Sequence, residues 1–250
     1  MHKFFVDESF IDGNIVNIQG DDVKHIYRVL RLKSGDQVNI NNCKGEEFLA
    51  QIKDINKTNV LCEIIEKADI NNESALKIYL YQGLPKAAKM DFIIQKSTEL
   101  GVTSITPVIT ERVVVKNELK EYKKVDRWNK IALEACKQSK RTIIPKVNQP
   151  MELEGFLSEA DSYDLIVVPY ESKEDFGIKA MIRNLNGKKI NSIAILIGPE
   201  GGFEEEEIEK LDNLGAQIVT LGPRILRTET AGLVCASLLL YELGDIGGKI

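Results

Sequence analysis

Histidine is nearly absent from this chain: His2 and His25 are the only two in 250 residues. A histidine general base or a histidine metal cluster is thereby nearly excluded, and no metal is expected. Cysteine is sparse as well. Cys43, Cys62, Cys136 and Cys235 form no C-x-x-C pair and lie far apart, so neither a zinc site nor a disulfide framework is indicated, and they read as reduced core residues. Long apolar runs are missing. The longest, within 231–241, is about half the ~20 residues needed to span a bilayer. The N-terminus passes from Phe4-Phe-Val6 straight to Asp7-Glu8 without the apolar stretch of a signal peptide, so a cytoplasmic protein with no membrane partner is expected. Basic excess is lacking too. The net charge of −5 argues against strong non-specific nucleic-acid binding, so any RNA contact must be a local patch.

What the chain does have is two strand-loop-helix stretches near its C-terminus. Ile193-Ala-Ile-Leu-Ile197 runs into Gly198-Pro-Glu-Gly-Gly-Phe203 and four glutamates; Val219-Thr-Leu221 runs into Gly222-Pro-Arg-Ile-Leu-Arg-Thr-Glu-Thr-Ala231 and an apolar segment. In each, a short apolar run typical of a strand buried on both faces ends in a glycine-and-proline turn before helix-like residues begin. One such loop is as well explained by a tight turn leaving a parallel sheet as by a ligand site. Two in tandem favour the site: Gly198, Gly201 and Gly202 leave main chain uncovered, able to grip a flat polar ligand such as an adenosine. Neither G-x-x-x-x-G-K-[ST] nor G-x-G-x-x-G occurs here, and four carboxylates opening a helix would repel a pyrophosphate. A ligand with little negative charge is expected.

Upstream, short β-rich runs at Phe4–Val6, Asn14–Ile18, Gln37–Ile40, Glu47–Ile52 and Asn59–Ile65 suggest a small, net acidic β-barrel. A helix-like stretch over 21–33 interrupts them, with Val23, Ile26 and Leu30 on one face. At 100° per residue Lys24, Arg28 and Arg31 fall within about 60° on the other, as a solvated face or as an RNA contact. The polar stretch 68–75 reads as a linker, dividing the chain into 1–72 and 73–250. Beyond it, strands at Ile78–Tyr81, Ile105–Ile109 and Leu165–Val168 alternate with helices at Lys86–Leu100 and Arg127–Lys140, the pattern of a parallel α/β sheet. Lys86, Lys89 and Lys96 lie within about 80° on one side of their helix, a soluble surface or a phosphate-facing edge. Pattern alone draws an unknotted layered fold, because threaded chains are very rare.

The segments Gly198–Phe203 and Leu221–Ala231 resemble the second and third motifs of the SPOUT methyltransferases, of the type that methylates uridine N3 in 16S ribosomal RNA. Leu165–Val168 with Pro169-Tyr-Glu171 matches the first cofactor motif, and Leu84–Asp91, Lys96–Gly101 and His25–Arg31 carry the likeness over nearly the whole chain. The resemblance implies a trefoil-knotted parallel-sheet methyltransferase domain behind a PUA-like RNA-binding barrel, S-adenosylmethionine as cofactor, 16S rRNA or the small ribosomal subunit as partner, and a homodimer. An all-apolar helix over Leu233–Leu243, with no polar face at Leu238–Tyr241, also points to burial within the fold or between subunits.

On this basis the cofactor site comprises Gly198, Glu200, Gly201, Leu221, Gly222, Leu226, Thr228, Thr230 and Ala231 with Pro169. The uracil anion formed at N3 needs a cation, for which Arg227 and Arg141 are candidates, with Gln138 as an orienting amide. Arg224 reads as a structural ion pair and Glu229 as the possible base. Lys24, Arg28, Arg31, Lys86, Lys89 and Lys96 would contact RNA. Two departures from the family pattern stand out. Lys137 and Lys140 occupy positions that differ in E-Q-[S/C]-G-R, and Glu204 replaces the usual Ser or Thr, so no hydroxyl cap is expected there. The competing readings are a non-catalytic RNA-binding assembly protein and, against the missing fingerprint, a dinucleotide-dependent oxidoreductase.

Overall fold

The computed structural model describes residues 1–70, 72–86, 88–113 and 122–248. They fall into two compact units, Met1–Glu73 with the later segment Cys136–Ile144, and Ser74–Ala135 with the chain from Pro145 onward.

In the first unit, β1 (Lys3–Phe5), β2 (Ile11–Asp12), β3 (Ile15–Gln19), β4 (Gln37–Asn41), β5 (Glu47–Ile55) and β6 (Asn59–Ala68) form one sheet in the order β1-β4-β5-β6-β3-β2. Its pairings are antiparallel except β1 with β4. Alternate residues point inward. Val16 and Ile18, Val38 and Ile40, Ala50 and Ile52, and Val60 and Cys62 meet Phe4, Val23 and Ile26 in one core. Register shifts between β5 and β6, at Leu49/Ala50 and Ile52/Asp54, add the local twist that curls the sheet around this core.

The stretch expected as a helix over 21–33 is α1 (Asp21–Lys24), which widens into a π turn over His25–Leu30 and stops at Arg31, φ 53°. Val23 and Ile26 are buried as the pattern requires. The wider turn takes more residues per revolution, so Lys24, Arg28 and Arg31 do not follow the line that α-helical spacing draws.

The segment 136–144 is tied to this unit by Glu73, which lies in the stretch read as a linker. Its carboxylate accepts from Arg141 Nη2 at 2.6 Å and from the backbone N–H groups of Thr142 and Ile143 at 2.8 and 3.0 Å. Burial alone would push the Glu73 carboxyl up, but Arg141 and these N–H groups hold it below its ordinary range. Cysteines 62, 136 and 235 are buried, and burial pushes the Cys62 and Cys136 thiols up to about 12. Cys43, by contrast, is half-buried in a left-handed turn, φ 61°.

The second unit holds a seven-stranded, wholly parallel sheet: β7 (Lys77–Gly83), β8 (Ser104–Ile109), β9 (Lys146–Val147), β10 (Met151–Glu152), β11 (Leu165–Pro169), β12 (Ser192–Ile197) and β13 (Gln217–Val219). The order is β10-β8-β7-β12-β11-β13, with β9 beside β8. Its helices are α2 (Lys89–Glu99), α3 (Val125–Ser139), α4 (Leu153–Glu159), α5 (Ile178–Asn184), α6 (Glu205–Asn213) and α7 (Thr228–Leu243). The last residues of α3 are counted with the first unit.

The middle strands are apolar throughout because both faces are covered. Ala194 and Leu196 of β12 share a core with Phe156 of α4 and Leu211 of α6, while α7 packs on β12 and β7 and against α2. Helix α2 begins at Lys89, later than the expected Lys86, and α7 is not buried all round: Leu238 and Tyr241 are exposed. Among the described residues no helix is long and apolar enough to cross a membrane. Since all strands run the same way, the loops after β11, β12 and β13 emerge at one edge, where the strand order departs from the chain order. Such a crevice is where open parallel sheets hold ligands.

Candidate cofactor cleft

The loop after β12 is pressed against the end of β7. A Cβ added to Gly83 would lie 2.5 Å from the backbone nitrogen of Pro199, so two stretches of main chain touch where no side chain fits. A buried relay fixes the contact. Gln82 Nε2 donates to Thr228 Oγ1 at 2.8 Å, and that hydroxyl donates to the Gly198 carbonyl at 2.6 Å, joining β7, the first residue of α7 and the loop. The loop's other side is braced by Arg112, whose guanidinium forks onto Glu204 at 2.6 and 2.7 Å and donates to the Gly201 carbonyl at 3.0 Å. Glu204 opens α6, and its backbone N–H is capped by Glu207 Oε2 at 2.8 Å. This is one half of a capping box; in the other half the Glu204 carboxylate, standing where a hydroxyl is usual, accepts from the Glu207 backbone N–H.

The three loops enclose two joined lobes, about 630 Å³ and about 370 Å³. Of the expected cofactor residues, Leu221 and Gly222 line the larger lobe; Gly198, Glu200 and Thr228 line the smaller; Pro169, Leu226 and Ala231 line both. Gly201 and Thr230 line neither. A Cβ on Gly201 would meet Arg112 Cβ at 3.0 Å, so this glycine makes room for the brace and not for a ligand. Tyr170, Glu171 and Ile225 also line the cleft, although the loops' glycine pattern gives no sign of them.

Electrostatics in the smaller lobe centre on Lys89, whose ammonium lies 2.9 Å from Glu200 and 3.1 Å from Glu229. It is therefore committed to two carboxylates and does not form part of a phosphate-facing edge. Burial raises the Glu200 and Glu229 carboxyls, but Lys89 and backbone N–H groups bring both below their ordinary range, while the two carboxylates raise Lys89. Lys96 is likewise paired, with Glu99 at 2.8 Å, whereas Lys86 is exposed and its backbone N–H donates to Glu200.

Arg227 also lines this lobe. It is 82% exposed, its Nη1 3.9 Å from Glu229, and so offers a guanidinium to whatever enters. Arg224, expected in an ion pair, is exposed on the larger lobe and pairs with no carboxylate among the described residues. Arg141 departs most from expectation. It is 4% exposed and held by Glu73, as a buried guanidinium must be, so it anchors a segment and is not a cation open to a substrate. Gln138 is exposed near the end of α3, as are Lys24, Arg28 and Arg31 on the first unit, next to Tyr27 and Val29.

A curled sheet ahead of a parallel-sheet unit with a two-lobed cleft defines the class: an RNA methyltransferase domain, matched over residues 72–240, with an RNA methyltransferase PUA domain, matched over 18–65. The chain belongs to the ribosomal RNA small subunit methyltransferase E family, within the SPOUT fold class. The family member from Bacillus subtilis is 36% identical over 97% of both chains, and that of Buchnera aphidicola from Acyrthosiphon pisum is 37% identical over 95% of this chain and 92% of its own. Among solved structures, the Neisseria gonorrhoeae member bound to S-adenosyl methionine is 31% identical, with a TM-score of 0.85 over 98% of this chain and 99% of that one. A Legionella pneumophila protein in complex with the cofactor SAM is 35% identical, with a TM-score of 0.83 over 98% of both chains.

Proposed function

We propose that the chain transfers a methyl group from S-adenosylmethionine to N3 of a uridine in 16S ribosomal RNA, acting on the small ribosomal subunit in the cytoplasm as a homodimer. The observation that carries this reading is the two-lobed cleft with the exposed Arg227 at its smaller lobe.

The cleft fits the cofactor. Its lobes are of the size that holds small ligands, its walls at Pro169, Leu226 and Ala231 are apolar, and its charged lining carries both signs, Glu171 and Glu174 beside Lys173, Arg224 and Arg227, which suits a ligand bearing a sulfonium and a carboxylate. Pro169, Leu226 and Ala231 would cover the adenine, with the uncovered main chain at Gly198 and Leu221–Gly222 to hydrogen-bond it. When bound, the group supplies a methyl activated by an adjacent sulfonium.

The protein's own part is alignment and charge. Gln82, Thr228 and Arg112 hold the loop after β12 still, which is the positioning that an in-line transfer demands. Arg227 stabilises the negative charge that spreads over the uracil carbonyls when N3 loses its proton. Glu229 is a weak base for that proton, because backbone N–H groups and Lys89, 3.1 Å away, outweigh burial and favour its ionised form. Lys24, Arg28, Arg31 and Lys86 dock the RNA through phosphates. Exposed Phe92, Leu238 and Tyr241 on the mutually packed α2 and α7 supply an apolar surface for a second copy.

A labelled-methyl assay on 16S rRNA and on small subunits, followed by mass spectrometry of the released nucleoside, tests the reading. 3-Methyluridine is the expected product. Cofactor binding with no label in RNA would instead indicate a non-catalytic assembly protein.

A further inference from the structure

The wall common to both lobes is made of Pro169, Glu171, Ile225, Leu226 and Ala231, and Glu171 is the one polar side chain among them. Its carboxylate makes no hydrogen bond or ion pair with any described residue. Lys173, two positions on, lies 4.0 Å from Asp175 instead, and the nearby Arg112 is engaged by Glu204. The carboxylate rests on bare main chain. A Cβ on Gly202 would stand 2.6 Å from Glu171 Oε1, and Gly202 has φ +71°, a conformation that strains any larger residue. Gly202 is required by its own left-handed backbone, and its bare α-carbon leaves the exposed Glu171 carboxylate beside main chain at the seam of the cleft. A ligand reaching from one lobe to the other must pass it.

We propose that Glu171 accepts hydrogen bonds from a vicinal diol, the ribose 2′- and 3′-hydroxyls of an adenosine ligand lying across the two lobes, and so is a specificity-determining residue for the cofactor. The inference rests on the cofactor reading above and deepens it. Two carboxylate oxygens match two adjacent hydroxyl donors, and dinucleotide-binding folds hold ribose with an acidic side chain for the same reason. Apolar neighbours on both sides leave the diol no other side-chain acceptor on this wall, and the exposed Glu171 carboxylate is open to a ligand in either lobe, so removing either partner should cost the hydrogen bonds they would share.

Titration calorimetry with the full chain tests this, using S-adenosylhomocysteine and its 2′-deoxy analogue on wild type and Glu171→Gln, after circular dichroism and melting have shown the variant folded. Wild type should bind the analogue about tenfold more weakly than the parent, while Glu171→Gln should bind the parent about tenfold more weakly than wild type and lose nothing further on the analogue. Glu171→Asp, whose carboxylate stops one methylene short, should lose the same discrimination and serves if the Gln variant does not fold. Wild-type affinity for the parent in a folded variant, or an equal loss on the analogue in both proteins, would overturn the assignment. A loss confined to S-adenosylmethionine, with S-adenosylhomocysteine bound normally, would assign the carboxylate to the sulfonium charge and overturn the diol. Failure of wild type to bind the parent at all would remove the cofactor reading itself.

Discussion

Arg227 and Arg141 look alike in the sequence, each beside a candidate motif, and the structure gives them opposite surroundings. Arg227 reaches an open lobe; Arg141 is sealed against Glu73. Truncating Arg227 to alanine should lower the single-turnover rate at saturating RNA about 10²- to 10³-fold, as loss of one preorganised donor does, with RNA and cofactor affinities unchanged. A loss seen only in RNA affinity would make it a docking residue. Arg141→Ala should act elsewhere, lowering stability by about 3 kcal/mol in a denaturant titration because Glu73 is left buried and unpaired. Normal stability with a lost transfer rate would restore it as a catalytic candidate. The sequence could not separate the two arginines. Burial of a cation depends on a partner distant in the chain, and Glu73 lay in a stretch whose polarity suggested only a linker.

At the scale of elements, the glycine loops were legible and their supports were not. Glycine and proline punctuate a chain locally, so the loops at 198–203 and 222–228 can be read off directly, whereas Arg112, Gln82 and Lys89 reach them from a turn, a strand and a helix distant in the chain. The Lys89 brace has a pH signature. The depressed Glu200 and Glu229 carboxyls contribute stability that is complete above their unfolded value, about 4.3, and lost as pH falls through the folded values; raised Lys89 contributes below about 10.4 and is lost as pH rises through its folded value. The melting temperature of wild type should therefore exceed that of Lys89→Met by about 2–4 °C between these limits and converge with it beyond either. A constant gap across the whole range would show that the brace is packing and not charge. The turn at 21–31 is a second element that helical arithmetic misdescribes, since a π turn has no distinctive sequence sign, yet its three cations remain exposed. The Lys24→Ala/Arg28→Ala/Arg31→Ala protein should bind RNA more weakly, with a salt slope reduced by roughly one phosphate per lost contact and cofactor affinity intact. Methylation at normal efficiency through a salt series would reduce the stretch to a solvated surface.

For the whole molecule, the alternation of strands and helices after residue 76 announced a parallel sheet because buried strands read as unbroken apolar runs. The threading of the last helix came from the resemblance alone, since periodicity carries no information on how a chain passes through a loop. Nor does it reveal that 136–144 returns to the first unit, held there by the Glu73 carboxylate together with an antiparallel bridge between Lys44 and Ile143 and the Gly45 N–H on the Thr142 carbonyl. The apolar surface of α2 and α7 makes its own prediction. Light scattering at micromolar concentration should give twice the chain mass, and Leu238→Lys with Tyr241→Lys should halve it while leaving the melting profile cooperative. A monomeric wild type would leave Leu238 and Tyr241 without an occupant.

Synthesis delivers a chain from its N-terminus, at about 5–20 residues per second, and lets each part fold as it emerges. Gly83 and Gln82 appear early, but the main chain that Gly83 must touch and the hydroxyl that Gln82 must meet arrive only with Pro199 and Thr228. The sheet can begin to form without them; the cleft cannot. While it is being made, the protein has no place for its cofactor, and it acquires one only as the last helix leaves the ribosome that built it.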